Sequence, residues 1–386
     1  MAGIQETEHE ESNTPGWLVR KLRQQWVGRL AQADQCWSDA DTLQAAQKVL
    51  TQACELPIYQ NGLGTKLMKQ SLRVKSLSEL TVLLPIFDKK KMFKGRSLDG
   101  ILPAQRIRQT GLIYTSSGYS GEFAWGFEPR KSGCETVSEL DVMLDWLFEI
   151  AGKPTLLINA LPTGVRIEAG LPAVIETGPR SDSVTAALRV ARPSFGQTIL
   201  VGDWPLLKAA LEQAVREKAL GRKGGPVHLI TGGDWIAENW RSYVTGLLEK
   251  ACPGLAGTCM INFGVSELGL SVGLETDGCR MIRQAAHEEG ELRQKLFGDV
   301  PAVPTLVQYQ PWRYWVETPV VGGCHRLVVT TLEQNRLLPL IRYCTGDLAQ
   351  VWSYAQWREL VEHAGRPDLL PKERIAKCWR SLDGGQ

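Results

Sequence analysis

Apolar residues recur every three or four positions from Trp17 to about Leu50, through WLVRKLRQQWVGRLAQA, a spacing that lines one face of an amphipathic helix. Helices dominate the first hundred residues on this reading. Beyond them the period changes. Short β-rich runs, GLIYT (111–115), TLLIN (155–159), TILVG (198–202), VHLIT (227–231) and TCMINF (258–263), alternate with the helical stretches LDVMLDWLFEIA, WPLLKAALEQAVREKAL and WRSYVTGLLEKA. Strand and helix in alternation predict an α/β fold around a largely parallel, buried sheet. From about Val303 the runs VPTLVQY, HRLVVTTL and PLIRY follow with few helices between them, which predicts a second, smaller β-rich subdomain.

Composition narrows the function classes. The formal net charge is +2, with both signs interspersed, so no concentrated positive field is present to select nucleic acid or an anionic membrane. The start, MAGIQETEHEESNTPG, is acidic and polar and lacks the basic and apolar segments of a secretory signal. The longest apolar stretches, such as LTVLLPIF (80–87), fall short of the roughly 20 residues a membrane-spanning helix needs. A cytoplasmic protein is expected. The 9 cysteines include no C-x-x-C pair, which favours reduced thiols over a disulfide framework. Cys252, Cys259, Cys279 and Cys324 with His325 lack metal-ligand spacing and read as small hydrophobes. Most of the 13 Trp are assigned to packing, and His228 and His325 to satisfied structural roles.

The candidate chemistry begins at YTSSGYSGEF (114–123), directly behind a predicted strand. Glycines there bring backbone N–H groups to close range and the hydroxyls add donors, which suits phosphate oxygens, although taken alone the stretch fits an ordinary surface turn as well. It is not the G-x-x-x-x-G-K-[ST] loop of NTPases, since the spacing of Gly118 and Gly121 differs and no Lys follows. Three further segments follow in order, each at a strand end. ITGGDW (230–235) offers a Gly pair against which a flat ring could lie, INFGVSELG (261–269) carries Phe263, Gly264 and Glu267, and IRYCTGDL (341–348) closes on Gly346 and Asp347.

These four segments resemble, in type, order and approximate spacing, the core motifs of the acyl-adenylate-forming superfamily: acyl-CoA synthetases, nonribosomal-peptide adenylation domains and firefly luciferase. LPIYQNGL and SLSELTVLLPIFDKKKMFK further resemble the phenylacetate-CoA ligase branch, and the similarity covers roughly residues 50 to 368. The resemblance implies the large N-terminal domain of such enzymes, with layered α/β subdomains, a β-rich subdomain from about 303 and no mobile C-terminal domain. On this division 1–15 is a flexible tail, 16–366 the adenylate-forming body and 367–386 a short residual tail.

The residue roles are likewise carried over from the resemblance. Thr115, Ser116, Ser117, Gly118, Ser120 and Gly121 would surround the β- and γ-phosphates of ATP, with Ser117 and Ser120 joining Glu267 as the catalytic set. Glu267 would bind Mg2+, Phe263 with Gly264 would stack against adenine, Gly232, Gly233 and Asp234 would border it, and Asp347 would accept hydrogen bonds from the ribose hydroxyls. HAGRPDLLP (363–371) resembles the hinge of the family, making Arg366 a nucleotide-contacting candidate and Asp368 its companion. Leu161, Val265 and Leu268 are candidates for the walls of the acyl pocket.

Two departures from the family pattern matter. Glu122 and Phe123 stand where the phosphate loop commonly ends in a Lys, and a negative charge there opposes a triphosphate unless it points away. The sequence given also runs only to Gln386, whereas relatives carry a further domain bearing a reactive Lys; Lys372 and Lys377 match no version of that motif and read as solvated side chains. Full CoA-ligase activity is therefore not expected. What is expected is adenylation of a small aromatic carboxylic acid, phenazine carboxylate in antibiotic biosynthesis being the substrate the branch suggests, with a partner reductase or acyl acceptor consuming the acyl-AMP. The alternatives are a non-catalytic nucleotide-binding protein and a ligase completed by a separate chain. Nucleic acid and membrane are not expected partners, and the sequence leaves room for a homodimer.

Overall fold

The computed structural model describes residues 16–63, 65–116, 122–130, 138–162, 165, 167, 169–370 and 378–381. The helical run near the start is two helices, Gly16–Cys36 and Asp39–Ala53. Between them the Asp41 amide donates to Ser38 Oγ at 3.2 Å and the Ser38 amide donates to Asp41 Oδ2 at 2.8 Å. This capping box starts a new helix at Asp39, while the apolar period continues through the junction and conceals the break. Short helices follow as far as Gln109, interrupted by a two-residue strand, β1 (Phe87–Asp88).

A hairpin comes next, β2 (Thr110–Thr115) with β3 (Trp125–Pro129). The strands β4 (Thr155–Asn159), β5 (Ala173–Glu176), β6 (Gln197–Asp203), β7 (Val227–Gly232) and β8 (Ala256–Val265) then form the parallel half of one large sheet, in the order β5-β4-β6-β7-β8. Apolar runs such as Leu156–Ile158 are buried on both faces, as a sheet covered on two sides requires. Helices Ser181–Val190, Trp204–Arg216 and Glu238–Ala251 pack one face through Val184, Leu188, Leu207, Leu211 and Val244. Helix Glu139–Phe148 packs the other through Leu144 and Phe148.

The antiparallel half continues the same sheet. It contains β9 (Gly269–Leu274), β10 (Thr305–Gln308), β11 (Tyr314–Glu317), β12 (Val320–Val321), β13 (Cys324–Thr331), β14 (Tyr343–Trp352) and β15 (Cys378–Ser381). β15, in the stretch read from sequence as a tail, pairs with both β10 and β14. The strand expected over PLIRY begins only at Tyr343, because Arg342 adopts a left-handed φ of 43°. Its buried guanidinium bonds Glu317 at 3.0 and 3.1 Å, the Thr81 carbonyl at 2.6 Å and the Leu84 carbonyl. That anchor ties the first helices to the head of β14. The strand then runs through Gly346 and Asp347 instead of closing on them.

Secondary expectations fare unevenly. Cys259 and Cys279 are buried, Cys252 is half-buried and Cys324 is exposed, and among the described residues no cluster suits a metal ion. His228 Nδ1 accepts from the Thr258 amide at 3.0 Å, but its Nε2 is buried without a partner, and burial pushes its pKa down to about 4. Among the described residues no helix is long and apolar enough to cross a membrane.

Candidate active site

The site is assembled from the head of β14 outward. β1 pairs in parallel with it, Phe87 opposite Tyr343 and Asp88 opposite Cys344, with the Phe87 amide donating to the Arg342 carbonyl at 3.0 Å. Asp88 caps the helix Lys89–Phe93 by accepting from the Lys91 amide at 2.7 Å, so Lys89, the first residue of that helix, directly follows the residue paired with Cys344. Lys89 Nζ lies 3.5 Å from Ser116 Oγ, at the end of β2. Ser116 is itself fixed, its amide donating to the Ala124 carbonyl at 3.0 Å and its Oγ accepting from the Ala124 amide at 2.9 Å.

The hairpin is pressed against the turn that joins β8 to β9. Ser266 Oγ donates to the Thr115 carbonyl at 3.2 Å, and a Cβ at Gly126 would collide with the Ser266 carbonyl, so only glycine permits this approach. The same turn delivers Glu267. Its side chain is buried, 4% exposed, and Tyr343 donates its hydroxyl to Oε1, while Oε2 is buried with no hydrogen-bond partner. Burial pushes the carboxyl pKa up. The Tyr343 hydroxyl and the Lys89 cation pull it back, and the Asp347 carboxylate raises it again. Glu267 and Tyr343 thus form a buried hydrogen-bonded pair, on whose carboxyl the charges of Lys89 and Asp347 act more weakly than burial does.

Glu122, the acid that opposes a phosphate, forms an ion pair with Lys94 at 3.0 Å. Its charge is offset locally.

The other predicted residues divide by location. Gly232 ends β7 opposite Asn262, and a Cβ there would strike the Asn262 carbonyl; Gly233 follows with φ 87° and exposed Asp234 accepts from the Trp235 amide at 2.8 Å. Phe263 and Gly264 lie next to Asn262 on β8, so this group shares the strand end that carries Glu267. Val265 ends β8 and Leu268 is fully buried in the main core. Leu161 lies beyond the end of β4, separated from β8 by β6 and β7. Arg366 is engaged elsewhere, on Asp368 at 2.9 Å and on Glu289, and no contact among the described residues joins it to the Glu267 group. Ser117, Gly118, Ser120 and Gly121 lie outside the described residues, while Thr115 is exposed at the end of β2.

Sequence reasoning missed Tyr343 and Lys89. Tyr343 stands within the quoted IRYCTGDL segment, and its role depends on facing the β8–β9 turn. Lys89 belongs to the run DKKK, from which nothing in the local pattern singles it out.

No family model matches the chain, and no curated protein matches it. Among solved structures, it is similar to a 2-hydroxyisobutyryl-CoA ligase in an open conformation with 2-HIB-AMP and CoA, at a TM-score of 0.53 and 14% identity, covering 82% of this chain and 65% of the ligase. A luciferase-like enzyme from the nonluminescent mealworm Zophobas morio aligns at a TM-score of 0.31 and 14% identity, covering 74% of this chain and 67% of that one. The first likeness establishes the fold: the chain shares the α/β architecture of this ligase and spans 65% of its length.

Proposed function

We propose that the chain activates a carboxylic acid as its acyl-adenylate, using ATP and Mg2+. The observation that carries this reading is Glu267, a buried carboxylate with one oxygen paired to Tyr343 and the other left without a partner. An unpartnered buried carboxylate oxygen is costly in a finished core and fits a cation-binding role. Mg2+ is commonly held by one or two carboxylates together with phosphate oxygens and water, so a single protein oxygen is a sufficient donor set. When bound, Mg2+ offsets triphosphate charge as pyrophosphate leaves.

The chain's own groups have positioning work to do. Ser116 presents its hydroxyl at the end of β2, Tyr343 fixes the orientation of Glu267, and Asp347 is the acceptor for ribose hydroxyls on this reading. In-line attack of a carboxylate on the α-phosphate needs no acid or base from the protein, which agrees with a site without histidine among its described residues.

For the acid, we favour an aromatic ring. Phenazine carboxylate, with a reductase or acyl acceptor consuming the adenylate, is the specific substrate proposed on the sequence resemblance.

The test is pyrophosphate exchange with ATP, Mg2+ and a panel of aromatic and aliphatic carboxylates, with acyl-AMP detected by mass. Exchange supported by aromatic acids is expected. ATP binding without exchange for any acid, with candidate acceptors added, replaces this reading with that of a nucleotide-binding protein.

A further inference from the structure

We propose that Lys89 receives the triphosphate end of ATP, supplying the positive charge that the β2–β3 hairpin itself lacks. The proposal rests on the adenylation reading above and assigns a residue to the phosphate side of that site. Between Arg108 and Arg130 the sequence contains no Lys or Arg, so the hairpin offers a phosphate only hydroxyls and amides. The adjoining β8–β9 turn, held to the hairpin by Ser266, already carries the buried Glu267 with one unpartnered oxygen. A polyanion entering such a place requires a cation from another element.

Lys89 answers this on the hairpin's side; Arg326, on β13, is engaged with the Gly346 carbonyl. The backbone on either side of Lys89 is fixed, by the parallel pairing of Phe87 and Asp88 with β14 and by the Asp88 cap on the Lys91 amide. Lys89 Nζ reaches Ser116 Oγ at 3.5 Å, and among the described residues it has no carboxylate within ion-pair distance. The rest of the basic run is turned to other tasks: Lys91 Nζ donates to the Ile86 carbonyl at 3.0 Å, Lys94 holds Glu122, and Lys90 is exposed.

Calorimetric titration of the full chain with ATP and with AMP, both with Mg2+, tests the assignment. Lys89→Ala is expected to weaken ATP binding by about ten- to a hundredfold, the range for losing a charge-assisted contact, while AMP affinity moves by less than about threefold. Lys89→Arg should restore much of the loss, Lys90→Ala should change neither affinity, and the melting temperature of Lys89→Ala should match the parent. If the wild-type chain binds both nucleotides and Lys89→Ala alters them equally or not at all, the assignment to Lys89 is overturned and the adenylation reading stands. A wild-type chain that binds neither nucleotide removes the reading itself, and the proposal with it.

Discussion

Glu267 and Glu275 lie at the two ends of one strand, β9, and both are buried, yet their surroundings are opposite. Glu275, 0% exposed, accepts from Arg241 at 2.8 Å, from Arg283 at 2.7 Å and from the Ile261 amide at 3.0 Å. Glu238 completes the group, accepting from Arg241 Nε at 2.9 Å and lying 3.0 Å from Arg283, whose remaining donors reach the Pro304 and Ile236 carbonyls. Every charge there is matched. Glu267 has one hydroxyl partner and one bare oxygen. A saturated acid joins elements of the fold, whereas an unsaturated one at the same depth is, on the reading proposed above, the one with a coordination position to give.

The sharpest test of the framework half is Glu275→Ala. It would leave Arg241 and Arg283 buried without their shared counter-charge, for which a cost of about 3–5 kcal/mol is expected. Urea denaturation should register a loss of that size, and a loss below about 1 kcal/mol would mean that the cluster is not closed in solution.

Tyr343→Phe applies the same logic to the other end of β9. It removes one hydrogen bond to a carboxylate, worth about 1.5–3 kcal/mol, and leaves the acid free to take up a proton instead. The expected loss is therefore smaller than for Glu275→Ala. An equal loss would place Glu267 in the framework with Glu275.

How much of this was legible before the fold was known follows from the length of each signal. The strands β4, β6, β7 and β8 stand out as continuous apolar runs because a sheet covered on both faces selects them so. Glu267 and Asp347 stand out through their motifs. β5 (AVIE) is only partly buried and too short to assert a period, and the capping pair Ser38 and Asp41 is outweighed by the apolar repeat around it. Lys89 could not be read at all. Its position depends on a two-residue strand in parallel register with β14, and two residues carry no periodicity. The link between Tyr343 and Glu267 likewise spans distant segments joined only by tertiary packing.

Glu267→Gln separates charge from shape. Burial raises the Glu267 pKa above its ordinary value of 4.5, so the folded chain holds this proton more tightly than the unfolded chain. The resulting stability is full below the unfolded pKa and is lost as pH rises through the folded one. The neutral amide escapes that loss. Melting temperatures of variant and parent should therefore converge near pH 4 and diverge toward neutrality, with the variant equal or higher, while Mg2+-dependent exchange falls by at least about a hundredfold. A variant less stable than the parent at pH 7 would show that the charged carboxylate is a structural group.

Asp347→Asn is the smallest perturbation and the most local. Asp347 acts on Glu267 only through its charge, as the last and weakest of the influences on that carboxyl, while burial remains in place. Removing the charge should move the Glu267 titration, followed by the side-chain carboxyl resonance, to slightly lower pH. Lys89→Ala should move it the other way, because the ammonium favours the charged acid. Opposite displacements from two residues on different elements require both charges to converge on Glu267.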